Sequence, residues 1–237
     1  MAKRMQPLVA LRALKALVRD PDDTRKVFEI IEAMAGNANE KSAARFKQTQ
    51  SGQRILATQG SLLDSLRARD ALQAMSADSL GRAYLHFLDS ENLSFDGLVE
   101  ASETTRLQDE GDKDSQRFML RQRDQHDLWH VVTGYGRDIA GEASLLAFTY
   151  AQTRNRGLGV IALVGGLKLA KHYGFSIFKS LRQGYRLGKR AAWLPQQEWE
   201  TLLQLPLAQV RDLLNVGRPD VYLSLAAVST AAYTQTS

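Results

Sequence analysis

Apolar residues recur every three or four positions along most of the chain, the spacing that places them on one face of an α-helix. The segments 11–18, 27–34 and 84–88 show this spacing most clearly. The strict alternation that is typical of strands is rare, and residues 221–225, which do alternate, fit either a short extended piece or another helix. The pattern predicts an all-α fold, a single-domain helical bundle over residues 1–237.

Polar stretches, prolines and glycines indicate where these helices begin and end. Asp20-Pro21-Asp22-Asp23 is typical of a helix start, with a capping aspartate and a proline in the first turn. Residues 37–53 are mostly polar and predict a loop with little helix, whereas one or two short helices are predicted between 55 and 75. Residues 106–115 predict a second loop, and Leu205-Pro206 divides a closing pair of helices.

The stretch QHDLWHVVTGYGRDIAGE, residues 125–142, contains two of the four histidines. His126 and His130 are four residues apart, so on a helix they stack on one face about one turn apart. At about 100° per residue, His130 falls between His126 and Asp127 on the helical wheel. Three metal-competent side chains therefore share one edge of a helix that is predicted to run from near Ser115 to Val132.

Glu142 is the fourth candidate ligand, and it requires the chain to turn. On an unbroken helix it would point about 120° away from His130. Gly134 and Gly136 make a poor helix interior and a suitable left-handed exit. Glu142 would then lie on a second helix packed beside the first. Two imidazoles and two carboxylates suit zinc, and Mn²⁺ or Fe²⁺ is compatible with the same ligands.

Other interpretations of these residues stay open at this point. A His-x3-His pair also occurs as two partly buried polar residues without metal, but the carboxylates of Asp127 and Glu142 favour a metal site. The zincin motif HExxH requires glutamate where Asp127 stands, so no peptidase is predicted. Arg123 lies on the ligand face and is a candidate for holding a substrate anion, with a salt bridge to Asp127 or a solvated position as alternatives. No catalytic side chain is identified.

Composition narrows the chemistry further. The absence of cysteine excludes disulfides, thiolate-bound zinc, iron–sulfur clusters and thiol catalysis, so any metal must be held by nitrogen and oxygen. The net charge of +5 favours anionic partners without choosing among them. The sequence has no phosphate-binding loop, dinucleotide fingerprint or RNA-binding signature, and no nucleic-acid partner is predicted.

The positive charge is concentrated after the metal motif. Residues 143–197 contain nine Lys or Arg and no Asp or Glu. Residues 158–193, the basic aromatic segment, open with the most apolar run of the chain and continue with cations among aromatic side chains. That apolar run is too short to span a bilayer. An amphipathic helix with its aromatics in the core and a surface that faces membrane or prenyl lipid both fit this composition.

The start of the chain lacks the features of a secretory signal, because charged residues interrupt its first apolar stretch. Its first nineteen residues are basic and lack acid, as in a mitochondrial presequence, but they also lack serine and threonine. We therefore expect a protein of the bacterial cytoplasm that associates peripherally with the inner membrane. The equivalent in a eukaryote would be the mitochondrial inner membrane.

The spacing H-D-x-x-H, eleven residues, E resembles the signature of the coenzyme Q (ubiquinone) biosynthesis protein family, the fourth-numbered member of that set. The resemblance covers most of the chain, including the opening LRALKALVRDPDDTRKVFEIIEAM, the middle SLGRAYLHFLDSENLSFDGLVEAS and the closing WETLLQLPLAQVRDLLNV. It implies one divalent metal, usually taken as zinc. The family's four ligand positions carry His126, Asp127, His130 and Glu142 here.

The resemblance also implies a role in ubiquinone biosynthesis, at the C1 position of a prenylated hydroxybenzoate, where the carboxylate is lost and a hydroxyl is installed. The expected partners are this prenylated precursor or another prenyl lipid, the membrane surface, other quinone biosynthesis proteins and a second copy of the chain. A metal-dependent decarboxylase is favoured. The alternatives are a non-enzymatic prenyl-lipid-binding scaffold and a His-Asp metal phosphohydrolase, for which only His86 and His172 remain as further histidine ligands.

Overall fold

The computed structural model describes residues 4–19, 24–58, 60–91 and 112–234. Within these ranges every regular element is helical, and the one pair of bridged residues is Ser79 with Pro206. No helix of these ranges is long and apolar enough to cross a membrane. The prediction of an all-α helical fold is confirmed.

The described part of the chain forms fifteen α-helices and one short 3-10 helix at Leu194–Gln196. The α-helices are α1 (Pro7–Arg19), α2 (Thr24–Ala35), α3 (Ala38–Gln48), α4 (Gln50–Ala57), α5 (Leu62–Arg67), α6 (Arg69–Gln73), α7 (Leu80–Ser90), α8 (Lys113–Asp124), α9 (His126–Thr133), α10 (Ile139–Thr153), α11 (Arg156–Tyr173), α12 (Ser176–Arg190), α13 (Trp199–Leu202), α14 (Leu207–Leu213) and α15 (Asp220–Thr234).

The helices group into two compact units, each assembled from segments that are distant in the sequence. The first unit comprises Met1–Asn39, Tyr135–Arg190 and Arg218–Ser237, and the second comprises Glu40–Gly134 and Ala191–Gly217. No single cut in the chain separates the two sets of segments. That residues 1–237 fold as one domain stays a prediction.

In the first unit, α10 and α12 pack closely because small residues line their contact. A Cβ atom added to Gly184 would lie 2.4 Å from the carbonyl oxygen of Ser144. The buried hydroxyls of Ser144 and Ser180 share a hydrogen bond of 2.8 Å. Contacts of this kind fix the helix that carries Glu142 against α12.

In the second unit, an aromatic cluster packs α3 against α8. Phe46 and Phe118 are fully buried with ring centroids 4.8 Å apart, and Trp193 stacks on Phe118 at 6.5 Å. Removing aromatic side chains of this size from water is the main stabilising contribution that such a cluster makes.

Three sequence predictions differ from the structure or are refined by it. Residues 37–53 were predicted as a loop, and this was wrong, because α3 and α4 cover most of them. The histidine helix begins at Lys113 and is divided at Gln125, whose ψ of −2° departs from the helical value of about −42°. Residues 221–225 belong to helix α15. The short helices predicted between 55 and 75 are confirmed as α5 and α6, and the division at Pro206 is confirmed as well.

Two predicted features fall partly or wholly outside the described residues. These are the helix start at Asp20–Asp23 and the loop at 106–115, of which only Asp112–Ser115 is described. Asp112 caps α8 through its carboxylate, which accepts hydrogen bonds from the backbone N–H groups of Asp114 and Ser115.

Candidate metal centre

Helix α9 carries three of the four predicted ligands on eight residues. At the start of α9 the Trp129 N–H donates a hydrogen bond to the Gln125 carbonyl. At its end the Gly134 N–H donates to the His130 carbonyl at 2.8 Å. Gly134 has a φ of +77°, a left-handed conformation that glycine adopts without a Cβ clash. The predicted left-handed exit is therefore confirmed at Gly134.

The two histidines of α9 lie side by side on one face of the helix, as the four-residue spacing predicts, with their ring planes at 71°. Their ring centroids are 4.9 Å apart, and a nitrogen of each ring lies within 4.8 Å of the other. Two nitrogens bound to one zinc ion at about 2.1 Å lie no more than about 4.2 Å apart. The upper bound of 4.8 Å on their separation is close to that limit.

Their environments differ. His126 reaches the surface, whereas His130 is 1% exposed and stacks against the ring of Phe87 from α7, with centroids 5.6 Å apart. The buried ring is thus held by packing, while the other keeps access to solvent. This combination suits a site at the edge of a helical core.

Asp127 is the third candidate ligand on α9, and it is 2% exposed. Its carboxylate does not belong to the set of metal-competent atoms that lie within 4.8 Å of one another. Its Oδ1 lies 3.2 Å from Nδ1 of His126. Its Oδ2 is buried and accepts no hydrogen bond from any residue in the described ranges. Burying a carboxylate oxygen without a partner is costly, and a cation bound there would remove that cost. The donor set of α9 therefore fits a divalent metal.

The surroundings of Asp127 are also polar and buried. Burial raises the pKa of the Tyr84 phenol above its usual range, and the negative charges of Asp127 and Asp124 add to the shift. Tyr84 therefore stays protonated near these carboxylates. Burial likewise raises the pKa of Asp124, although Arg123 and other cations oppose this effect.

Arg123 contacts a different carboxylate from the one considered in the sequence. Its guanidinium donates to Oδ1 of Asp124 at 2.7–2.8 Å, and the side chain is partly buried. The structure thus pairs Arg123 with the carboxylate that follows it in the sequence. A role for Arg123 in holding a substrate anion stays a prediction.

Glu142 belongs to the first unit, in the opening turn of α10. Asp138 caps this helix, because its Oδ1 accepts from the N–H groups of Ala140 and Gly141 at 3.1 Å each. The Oε1 atom of Glu142 lies 3.7 Å from Nε of Arg137, and the side chain is partly exposed. Its place as fourth ligand stays a prediction.

The other two histidines are not part of this group. His86 on α7 and His172 on α11 are both exposed. In the part of the chain that the structure describes, neither belongs to a cluster of three metal-competent side chains.

Sequence reasoning missed the residues that support α9 from a distance. The Trp199 indole N–H donates to the side-chain oxygen of Gln125, which is fully buried where α8 gives way to α9. Arg121 pairs with both oxygens of Glu200 at 2.7 and 2.8 Å. These partners are 74 and 79 residues apart, so helical periodicity carries no signal for them.

The basic aromatic segment forms most of α11, all of α12 and the chain just beyond it. Its cations are exposed along both helices, while Trp193 is buried and Phe175 is 84% exposed. Leu163 and Leu167 on α11 are also exposed. The segment is thus amphipathic, with Trp193 in the core, Phe175 on the surface and the other aromatic side chains partly buried.

An open groove of about 540 Å³ lies beside this segment, within the first unit. Its lining is mainly apolar and comes from α10, α11 and α12 with Met34 of α2, and Arg156 and Arg182 contribute its cationic groups. No carboxylate lines it.

Comparison with known proteins places the chain in a family. The family described as coenzyme Q (ubiquinone) biosynthesis protein Coq4 matches residues 2–220. A crystal structure of a protein from Nostoc punctiforme PCC 73102 has a TM-score of 0.63 at 19% identity, covering 90% of this chain and all of that one. At that identity the likeness supports the fold alone.

Curated relatives carry related names. The ubiquinone biosynthesis protein COQ4 homolog 1, mitochondrial, of Culex quinquefasciatus is 28% identical over 174 residues, which is 70% of this chain and 58% of the relative. The ubiquinone biosynthesis protein coq4, mitochondrial, of Aspergillus niger is 30% identical over 150 residues, 62% of this chain and 49% of the relative. The chain thus spans about half to three-fifths of these relatives. From the match over residues 2–220, the chain belongs to the coenzyme Q (ubiquinone) biosynthesis protein Coq4 family.

Proposed function

We propose that this protein acts in ubiquinone biosynthesis as a metal-dependent enzyme on a prenylated hydroxybenzoate, removing its C1 carboxylate and installing a hydroxyl. One observation carries the proposal. His126, Asp127 and His130 stand together on a buried helix, with an unsatisfied carboxylate oxygen, in a chain that belongs to this family. The names of the curated relatives give the pathway.

Four side chains would hold one divalent metal ion. His126, Asp127 and His130 of α9 would supply two imidazoles and a carboxylate, and Glu142 of α10 would supply a second carboxylate. Nitrogen and oxygen donors in this ratio fit zinc, with Mn²⁺ and Fe²⁺ as alternatives. When bound, the ion supplies Lewis acidity for the carboxylate or neighbouring phenolic oxygen of the substrate.

The overall conversion is an oxidation. With water as the oxygen source, an aryl carboxylic acid and water yield the phenol, carbon dioxide, two protons and two electrons. An external two-electron acceptor must therefore take part. The chain's own contribution is to bind and orient the ring. In this proposal Arg123 attracts the anionic substrate while it remains paired with Asp124.

The prenyl tail would occupy the groove beside α11 and α12. The groove is open and mainly apolar, which suits a hydrocarbon chain, and Arg156 and Arg182 suit an anionic head or lipid phosphate. The exposed Leu163, Leu167 and Phe175, with the exposed cations of α12, support peripheral contact with an anionic membrane. Other quinone biosynthesis proteins would be its partners there.

A second candidate is a scaffold that binds prenyl lipid and organises those proteins, with a structural metal. Four protein ligands favour it, since a closed tetrahedral site leaves no position for substrate. A His-Asp phosphohydrolase receives no support, because the remaining histidines are exposed and outside any metal-competent cluster of the described chain.

Quinone intermediates in cells test the proposal. Cells whose only copy carries His130→Ala should accumulate a prenylated hydroxybenzoate that retains its C1 carboxylate, whereas His86→Ala should restore quinone. An accumulated intermediate that has already lost the carboxylate would contradict the proposed step. The scaffold would be favoured if His130→Ala released the other quinone biosynthesis proteins from this protein while the amount of the carboxylated intermediate stayed as in wild-type cells.

A further inference from the structure

We infer that Arg211 is a positioning residue of the metal centre, which holds the end of α9 that carries His130. This inference rests on the proposed metal site. It concerns a residue 81 positions beyond His130 in the sequence, on α14. It acts through the backbone of α9 rather than by touching a ligand side chain.

The contacts of Arg211 are with the last turn of α9. Its Nε donates to the carbonyl of Val132 at 2.9 Å, and its terminal nitrogen donates to the carbonyl of Val131 at 2.9 Å. The last carbonyls of a helix have no partner within the helix. Gly134 satisfies the carbonyl of His130, so Arg211 and Gly134 together account for three consecutive carbonyls of this turn.

The charge of Arg211 has the sign that this helix end favours. A helix carries partial negative charge at its carboxyl end, and a cation there stabilises the final turn. His130 lies in that turn. Fraying of the last turn would move the buried ligand away from His126, so a cation that suppresses fraying keeps the two imidazoles at one point.

Arg211 is itself held in place. Its own carbonyl accepts the N–H of Val216 at 2.9 Å, and α14 begins with the Leu207 N–H bonded to the carbonyl of Asp78 at 2.8 Å. Ser79 and Pro206 form the bridge that joins these two segments. The guanidinium therefore extends from an element fixed to the start of α7, which carries the Phe87 ring that stacks on His130.

The opposite end of α9 is held by the same part of the chain. Trp199 donates to Gln125, the residue that opens α9. The segment 191–217 thus contacts α9 at both ends, with the ligands between them. Groups that hydrogen-bond metal ligands directly usually tune affinity about 10- to 100-fold. Arg211 and Trp199 contact neighbours of the ligands, so we expect an effect at the lower end of that range.

Arg117 provides a matched control in the same unit. It also donates from a partly buried guanidinium to carbonyls at a helix end, those of Leu56 at 2.6 Å and Thr58 at 2.7 Å, beside α4. Helix α4 carries no predicted ligand. Arg117 lies on α8, and Arg117→Met removes the same type of contact from a helix end that holds no predicted ligand.

The experiment compares zinc affinity, by competition with a chelator, and the visible spectrum of the cobalt(II)-loaded protein. The chains are wild type, Arg211→Met, Arg211→Lys and Arg117→Met, each checked by circular dichroism to be folded at the assay temperature. We expect Arg211→Met to weaken zinc binding by up to about tenfold and to alter the cobalt spectrum. Arg211→Lys, which keeps the charge, should recover part of the loss, and Arg117→Met should match wild type.

Unchanged affinity and spectrum in Arg211→Met would overturn the inference, as would an equal loss in Arg117→Met. If Arg211→Met does not fold, the test rests on Arg211→Lys, which keeps one charged donor. The inference then requires that Arg211→Lys bind zinc more weakly than wild type, and equal binding would overturn it. A wild-type chain that binds no metal would instead overturn the proposed function, and the inference with it.

Discussion

Tyr222 donates its phenolic hydrogen to Oδ2 of Asp138 and accepts the N–H of Gly136 at 3.0 Å on the same oxygen. One side chain of α15 therefore fixes both the turn after Tyr135 and the residue that caps α10. Because Asp138 caps with its other oxygen, the start of the Glu142 helix depends on this contact.

Tyr222→Phe should destabilise the protein by about 1.5–3 kcal/mol, the range for a hydrogen bond to a charged group. Urea unfolding monitored by circular dichroism measures it. Tyr150→Phe removes the same atom from a tyrosine that packs against Tyr185 in the same unit. Its hydroxyl forms no hydrogen bond within the described part of the chain, so this change should cost much less. Equal losses would show that the contact with Asp138 is not stabilising.

Gly134→Ala should destabilise by about 1–2 kcal/mol, because a Cβ atom is strained at a φ of +77°. The loss should appear as a lower midpoint in thermal unfolding. Gly60→Ala is the matched control, since the space around Gly60 is open and its φ is not positive. A stabilised or unchanged Gly134→Ala would contradict the left-handed helix end.

The left-handed exit and the histidine edge could be predicted because both depend on local spacing. A four-residue interval and a glycine at a helix end carry their geometry in the sequence itself. The supports of α9 could not be predicted, since Gln125 meets Trp199 and Val132 meets Arg211 only after the chain has folded. No periodic pattern marks residues that are 74 and 79 positions apart.

The loop predicted at 37–53 fails for a different reason. Helix α3 buries a narrow face made of Ala43 and Phe46, and alanine contributes little to an apolar pattern. Thr49 ends this helix and caps the next, with its hydroxyl accepting the N–H of Gly52. A helix with so few large apolar residues is recognised only by what packs on it, here Phe118.

The Arg121–Glu200 pair should make stability depend on pH. Burial alone would raise the pKa of Glu200, but the hydrogen bonds and charge of Arg121 hold the pKa below its usual value. A depressed carboxyl pKa contributes stability above the ordinary glutamate pKa, about 4.3, and the contribution is lost as pH falls through the folded value.

Arg121→Met should therefore lower the free energy of unfolding by about 1–3 kcal/mol at pH 7. The effect is limited because Glu200 is partly exposed. The difference in this free energy between variant and wild type should shrink below about pH 4.3. Urea unfolding from pH 3 to 7 measures it. Arg54→Met breaks an exposed pair with Glu198 and should cost less at every pH. A difference that grows on acidification would contradict this assignment.

The exposed cations of α12 should govern membrane contact. Arg182→Glu with Arg186→Glu should weaken binding to vesicles of anionic phospholipid by at least about tenfold, since each cation near such a surface contributes about 1 kcal/mol. Sedimentation with vesicles measures it. Lys41→Glu with Lys113→Glu changes the net charge equally on exposed residues of the second unit. An equal loss in this control would contradict a specific lipid-facing surface.

The metal content of the purified protein tests the central claim most directly. Elemental analysis of the wild type and of His86→Ala should find one divalent ion per chain, with zinc predominant, whereas folded His130→Ala and Glu142→Gln should lose most of it. Metal retained in His130→Ala, or lost equally in His86→Ala, would contradict the account in which His126, Asp127, His130 and Glu142 form the site.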